Sequence, residues 1–296
     1  MKEKPFSKYQ ILANAVMIIW TLAIILPFIL LFMSSITDEN TLVANGYSFF
    51  PKKFSLASYS YIIKSGGQIL KAYGVSIVVT VVGTLLNVLL SALMAYPLSV
   101  KNLPGRNVMM FFVFFTMLFN GGIVPSYIMW TGTFHIKDTI FAQLLPNFLL
   151  SAWNVMMIRT YFTTSIPDGL YEAAEIDGAS QFTIFWKIVL PLGKPILVTM
   201  GTFAGLAYWN DWTNGLYYIV KNTGLYNVQN LLNQMVQNIQ FLTQSSNSNV
   251  TAAASTIPAT GIQMAIAFVA ILPIMLIFPS FQKYYAKGIA LGAVKG

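Results

Sequence analysis

Cysteine is absent from the 296 residues, which excludes disulfides, thiolate nucleophiles and cysteine metal sites at once. Charge is scarce too. Asp, Glu, Lys and Arg make up 9% of the chain, against about a quarter of an ordinary soluble domain. Histidine occurs once, at His135 beside Lys137 and Asp138, where it reads as a solvated loop residue and not a ligand. No G-x-x-x-x-G-K-[ST] phosphate loop occurs: Gly193-Lys194 is followed by Pro195 and has no matching upstream glycine. G-x-S-x-G and H-E-x-x-H are missing as well. The sequence therefore offers no catalytic residue, no metal ligand set and no cofactor of its own, and speaks against an integral-membrane enzyme.

What remains is apolar. Hydrophobic residues make up 56% of the chain, and they gather into runs of about 20 residues or more, the length that crosses a bilayer as a helix. The reading is an all-α membrane protein, one transmembrane domain over residues 1–296, with spans at about 11–33, 72–98, 107–130, 139–160, 195–220 and 257–280. Lys2, Lys4 and Lys8 precede an uncharged run from Tyr9 to Thr37 that is too long for a cleaved signal, so it is expected to stay as the first helix. Alternating the loops from a cytoplasmic N-terminus puts 11 Lys and Arg inside (2, 4, 8, 101, 106, 159, 187, 194, 283, 287, 295) and 6 outside (52, 53, 64, 71, 137, 221). That bias fits an N-in, C-in, six-helix topology. It also explains the net charge of +8 without nucleic acid.

Several runs carry breaks. Asn120-Gly121-Gly122 with Pro125 interrupts the third, either as the outer end of a helix or as a pathway-lining break, since unpaired backbone in lipid must be covered by protein or water. Pro146-Asn147 interrupts the fourth. In the fifth, Trp209-Asn210-Asp211-Trp212 places an ionisable group about 24 Å above Pro195, near the outer end of a hydrocarbon core about 30 Å thick, by default a candidate functional site. The tryptophans fit an interfacial belt first and stacking on sugar rings second. Residues 222–251 are polar and uncharged, and read as an outer segment, a solvated loop with a helical part around Leu231 to Phe241.

Between the fourth and fifth runs lies a polar island, residues 165–195. Ser165 and Asp168 have capping-box spacing. A short helix should follow, with Glu172, Ala173, Ala174 and Glu175, ending at Asp177-Gly178 because glycine readily takes the left-handed conformation. A second helical run, Phe182–Leu190, leads to Pro191. The alanines leave room for another protein to approach closely. A plain amphipathic hairpin in the interface is the alternative.

The pattern of Glu172, Ala173, Ala174, Asp177, Gly178 and Ala179, closing in Leu190, Pro191 and Pro195, resembles the EAA loop of membrane-spanning subunits of ATP-binding-cassette importers. The resemblance covers nearly the whole chain. The ending Lys287–Gly296, with Gly288, Leu291, Gly292, Val294 and Lys295, is similar to the tail of the maltose-type inner subunit, and FNGGIVPSY (119–127) and NDWTNGLYY (210–218) to the subset for complex oligosaccharides. The resemblance implies a bacterial cytoplasmic-membrane permease whose EAA loop is a cytoplasmic coupling helix. It also implies a tail that reaches between two cytoplasmic ATPases, and a pathway near Asn120, Trp209, Asn210, Asp211 and Trp212. The implied partners are a second homologous permease, the two ATPases with their ATP and Mg, an extracytoplasmic solute-binding protein and the bilayer. Alternatives are a permease of the same kind for peptides or other small solutes, and a secondary transporter, for which only Asp211 supplies intramembrane charge.

Overall fold

The computed structural model describes residues 8–64, 66–244 and 259–293. Among them all regular elements are helical, and the one extended pairing is an isolated bridge between Thr37 and Phe54. In chain order the helices are α1 (Lys8–Ser35), α2 (Glu39–Asn45), α3 (Ala57–Lys64), α4 (Gly66–Ser99), α5 (Arg106–Leu118), α6 (Ile123–Ile128, continued by a π turn), α7 (Phe141–Leu144), α8 (Ala152–Ser165), α9 (Asp168–Ile176), α10 (Gln181–Ile184), α11 (Leu190–Leu192), α12 (Lys194–Asn210), α13 (Thr213–Tyr218), α14 (Val228–Gln244) and α15 (Ala259–Ala293). A π turn over Phe185–Val189 joins α10 to α11.

Among the described residues three helical stretches are long and apolar enough to cross a membrane: Lys8–Ser35, Gly67–Ser99 and Thr260–Ile277. Two bent pairs meet the same test, Arg106–Leu118 with Ile123–Thr133 at 109° and Gln181–Leu192 with Lys194–Asn210 at 78°. The runs expected at 107–130, 139–160 and 195–220 are thus not continuous helices. α5 ends ahead of Phe119, which is extended, Gly122 takes φ +84° just ahead of α6, and Asn147 takes φ +66° in the turn between α7 and α8. Asp211 is extended and stops α12. The second run starts earlier than expected, because Gly66 to Lys71 are already helical.

The chain divides into two compact units, Met1–Ile69 with Leu232–Pro273, and Leu70–Leu231 with Ile274–Gly296. In the first, α1 is apolar all round and exposes Ile18, Trp20 and Ile24 alike, as a lipid-facing helix does. Its 28 residues extend about 42 Å at about 1.5 Å per residue, more than a hydrocarbon core of about 30 Å. Phe32 packs on Phe268 with ring centroids 4.9 Å apart. The Glu39 carboxylate accepts the Thr260 and Gly261 N–H groups at 2.9 and 2.8 Å, which satisfies the first turn of α15 and opposes its dipole.

The second unit holds the larger core. Ala92, Ala95, Tyr96 and Leu98 of α4 meet Val155, Ile158 and Phe162 of α8, Ala174 of α9, and Ile184, Phe185 and Val189 of the segment after it. The island at 165–195 is therefore packed onto the ends of α4 and α8 by buried apolar side chains, the dominant favourable contribution to such packing.

Candidate functional site

The island is built from two short arms. Ile166 is extended (φ −103°, ψ 116°) because proline follows it, so α8 runs on to Ser165 and α9 starts only at Asp168. The expected capping box is therefore not formed. Ser165 ends the preceding helix, and Pro167 occupies the cap position of α9 without a side-chain bond. The other end of α9 matches the expectation. Gly178 takes φ +74°, the Ala179 N–H reaches Ala174 O at 2.9 Å and the Gly178 N–H reaches Glu175 O at 3.0 Å, the paired bonds of a Schellman stop.

Glu172, Ala173, Asp177 and Gly178 are exposed, whereas Ala174 is buried in the core and Ala179 packs half-buried against it. Only one of the two central alanines is thus available to a partner. Ile176 is 86% exposed and Phe182 68%, a large apolar surface for residues outside the long apolar helices. The second arm is capped by Ser180, whose Oγ accepts the Thr183 N–H at 3.2 Å. The signal for this cap is Ser180 ahead of the apolar run that starts at Phe182.

The arms are tied to α4 and the turn that follows it. Tyr96 OH donates to Gln181 Oε1 at 2.5 Å, and Gln181 Nε2 donates to Glu175 Oε1 at 2.8 Å. The Tyr96 ring lies against Tyr171 of α9 and Phe185, with centroids 6.4 and 5.5 Å away. Burial pushes the Tyr171 phenol up to about 12, so it is neutral at any physiological pH. Lys101 and Asp168 form an ion pair at 2.5 Å with both side chains more than half exposed, an arrangement worth about 1 kcal/mol or less. Gly193 marks the exit into α12. A Cβ there would lie 2.5 Å from Phe162 Cε1.

The residues expected along a pathway are not gathered into one open surface. Asn120 serves its own break, its Oδ1 accepting the Gly122 N–H at 2.8 Å. Trp209 is buried at 7% exposure and rests against Tyr73, while Trp212 is 42% exposed. The exposed Asn210 bonds back to Leu206 O. Asp211 is buried. Its Oδ1 accepts the Thr213 N–H at 3.0 Å, the Thr213 hydroxyl at 2.7 Å and the Asn214 N–H at 3.3 Å, and so starts α13, while Oδ2 has no hydrogen bond among the described residues.

Around this break lies a set of buried amides that sequence reasoning missed. Gln143 Nε2 donates to Asn230 Oδ1 and Leu225 O, both at 3.2 Å, and Asn227 Nδ2 to Asp211 O at 2.7 Å. Asn214 Nδ2 donates to Pro146 O at 3.1 Å, Asn154 Nδ2 to Asn87 Oδ1 at 2.7 Å, and Asn87 Nδ2 to Phe148 O at 2.6 Å. The bonds to Pro146 O and Phe148 O satisfy carbonyls at the Pro146-Asn147 break, as apolar surroundings demand. The available signal was the recurrence of Asn and Gln inside apolar runs, where side-chain amides join helices. Nearby, Asp138 Oδ1 accepts three successive backbone N–H groups, of Val220 and Lys221 at 2.7 Å and Asn222 at 3.2 Å. Those bonds, that of Lys221 first, hold its carboxyl below the usual range. Among the tail residues, Gly288, Leu291 and Gly292 lie in α15, while Val294 and Lys295 lie outside the described residues.

Residues 80–291 match the model of the family described as binding-protein-dependent transport system inner membrane component. Protein LplC of Bacillus subtilis (strain 168) is 36% identical over 272 residues, 92% of this chain and 90% of that protein. The polygalacturonan/rhamnogalacturonan transport system permease protein YtcP of the same organism is 36% identical over 288 residues, 97% of this chain and 98% of that one. A chain from the crystal structure of a bacterial ABC transporter involved in the import of the acidic polysaccharide alginate superposes with a TM-score of 0.79 at 26% identity, covering 96% of this chain and 100% of that chain.

Proposed function

This chain belongs to the family of binding-protein-dependent transport system inner membrane components, multi-pass proteins of the bacterial cytoplasmic membrane that transport and are not enzymes, and we propose that it is the permease subunit of an importer of oligosaccharides. We infer a single permease domain with six spans, both termini in the cytoplasm and the 165–195 loop facing the cytoplasm between the fourth and fifth spans. Two ATP-binding-cassette ATPases dock there and hydrolyse ATP with Mg on their own residues, a second homologous permease completes the membrane part, and an extracytoplasmic binding protein delivers the sugar. Alternating access follows from closure of the ATPases, carried into the membrane by α9. The tail from Gly288 to Lys295 reaches toward the same ATPases.

The observation that carries this reading is the face of α9. Glu172, Ala173 and Ile176 of α9 are exposed, as is Phe182 of α10, and the far end of α9 is fixed by the Gly178 stop, so the loop presents a partly apolar surface left open among the described residues. One relative is a polygalacturonan/rhamnogalacturonan transport system permease protein and the structural neighbour belongs to a transporter involved in the import of the acidic polysaccharide alginate, so acidic oligosaccharides are the first substrates to test. Glu172→Lys reverses charge on the docking face, and Gly178→Asp strains the positive-φ turn. Both variants should insert into the membrane at normal levels and lose uptake. Normal uptake by both would remove the loop from the mechanism.

A further inference from the structure

Both covalent routes out of the 165–195 loop are bent. On one side Ile166-Pro167 separates α8 from α9 with extended backbone, and on the other Gly193 sits at the 78° bend into α12. A push on α9 is therefore poorly transmitted along the chain itself. The attachment to α4 differs. α4 is one continuous helix of 34 residues, and Tyr96 near its end touches both arms at once, by its ring against Tyr171 and Phe185 and by its hydroxyl on Gln181, which in turn holds Glu175.

Farther along, the same helix reaches the breaks. Asn87 holds Phe148 O and Asn154, and Ser76 Oγ accepts the Val228 N–H at 2.9 Å. Between them the seam with α12 is smooth: Gly83 lies under the Tyr208 ring, and Gly201 and Gly205 lie beside Val88, Thr84 and Thr80. The buried hydroxyls of Thr80, Thr84 and Ser91 have no hydrogen-bond partner among the described residues. Glycines permit close approach, and unbonded hydroxyls leave little directional resistance to sliding.

We propose that Tyr96 is the residue through which the α9–α10 arm drives α4, a positioning residue acting through the Tyr96–Gln181–Glu175 relay, and that α4 slides along the glycine seam of α12 in response. This rests on the reading of the loop as the ATPase-coupling element. The test uses the full complex in lipid nanodiscs, with ATP plus vanadate as the probe and single cysteines in a chain that has none. The maleimide labelling rate of Thr84→Cys should change on vanadate trapping. One hydrogen bond of ordinary net strength shifts an equilibrium about fivefold, so Tyr96→Phe should reduce that response by about fivefold. Gln181→Met should do the same, and the double variant should lose no more than either single one. A wild-type response in Tyr96→Phe and Gln181→Met, additive losses in the double variant, or no nucleotide response at Thr84→Cys in the parent would each overturn the proposal. Gln181 is exposed, so its variant reports even if the tyrosine variant fails to fold. Protection of Ala173→Cys by the ATPases, measured in the same preparations, separates the two readings. Protection with a Tyr96-independent α4 sinks the relay alone, while absence of protection sinks the coupling role of the loop.

Discussion

Gly193→Ala is the sharpest structural perturbation available at the exit from the loop. The added Cβ would lie 2.5 Å from Phe162 Cε1 and 2.9 Å from Val189 O, whereas carbon atoms at van der Waals contact sit about 3.5–4.0 Å apart. Phe162 is fully buried, so its ring has no open space to enter and has to retreat by about 1 Å, the difference between those separations. Overpacking of this kind costs about 1–3 kcal/mol. The variant should therefore show a lower thermal midpoint in detergent and a lower steady-state level in membranes. Trimming the ring with Phe162→Leu opens a cavity by itself but makes room for the new methyl. The double variant should be less destabilised than the sum of the two single changes, with a coupling of about 0.5–3 kcal/mol. Wild-type stability of Gly193→Ala, or strict additivity in the double variant, would refute the packing argument.

Two further outcomes follow from the loop at Asp138 and from the fifth apolar run. Asp138 has a depressed folded pKa because three backbone N–H groups stabilise its carboxylate, so its contribution is present above the ordinary value of about 3.9 and is lost as pH falls through the lower folded value; a thermal-stability series from pH 6 to about 2.5 should show an acid-side loss that Asp138→Asn reduces, and an identical profile in the variant would count against the clamp. Trp209→Ala should destabilise by about 3–5 kcal/mol, as removal of a buried tryptophan does, whereas Trp212→Ala should leave protein levels intact and lower uptake only if its exposed ring meets the sugar, so that an intact Trp209→Ala protein contradicts the burial and unimpaired uptake by Trp212→Ala assigns Trp212 to the interface belt.

Local chemistry made much of this legible in the sequence. The break at Asn120-Gly121-Gly122, the irregular stretch at Pro146-Asn147 and the stop at Gly178 all rest on residues that take positive φ or forbid a helix, and each is found where it was expected. The helix start was misplaced because two local rules compete around Ser165. Capping-box spacing favours Ser165 as a cap, but Pro167 forces Ile166 to be extended, and the proline rule prevails. The inward turn of Ala174 was not legible, since a nine-residue helix has too few apolar positions to define its buried face without knowing where Tyr96 and Phe185 sit. The amide set was hidden for a related reason. Asn87, Gln143, Asn154 and Asn227 bond to partners between 16 and 87 residues away, and spacing along the chain carries no trace of such pairings.

The central claim, that α9 is the surface on which an ATPase acts, is tested most directly by cross-linking from two adjacent positions. Ala173 is exposed and Ala174 is buried in the core, so Ala173→Cys bearing a short photo-cross-linker should capture a co-purifying ATP-binding chain, identified by mass, and Ala174→Cys should not. Equal capture from both positions, or capture of none from Ala173→Cys in a complex that still imports sugar, would contradict the account.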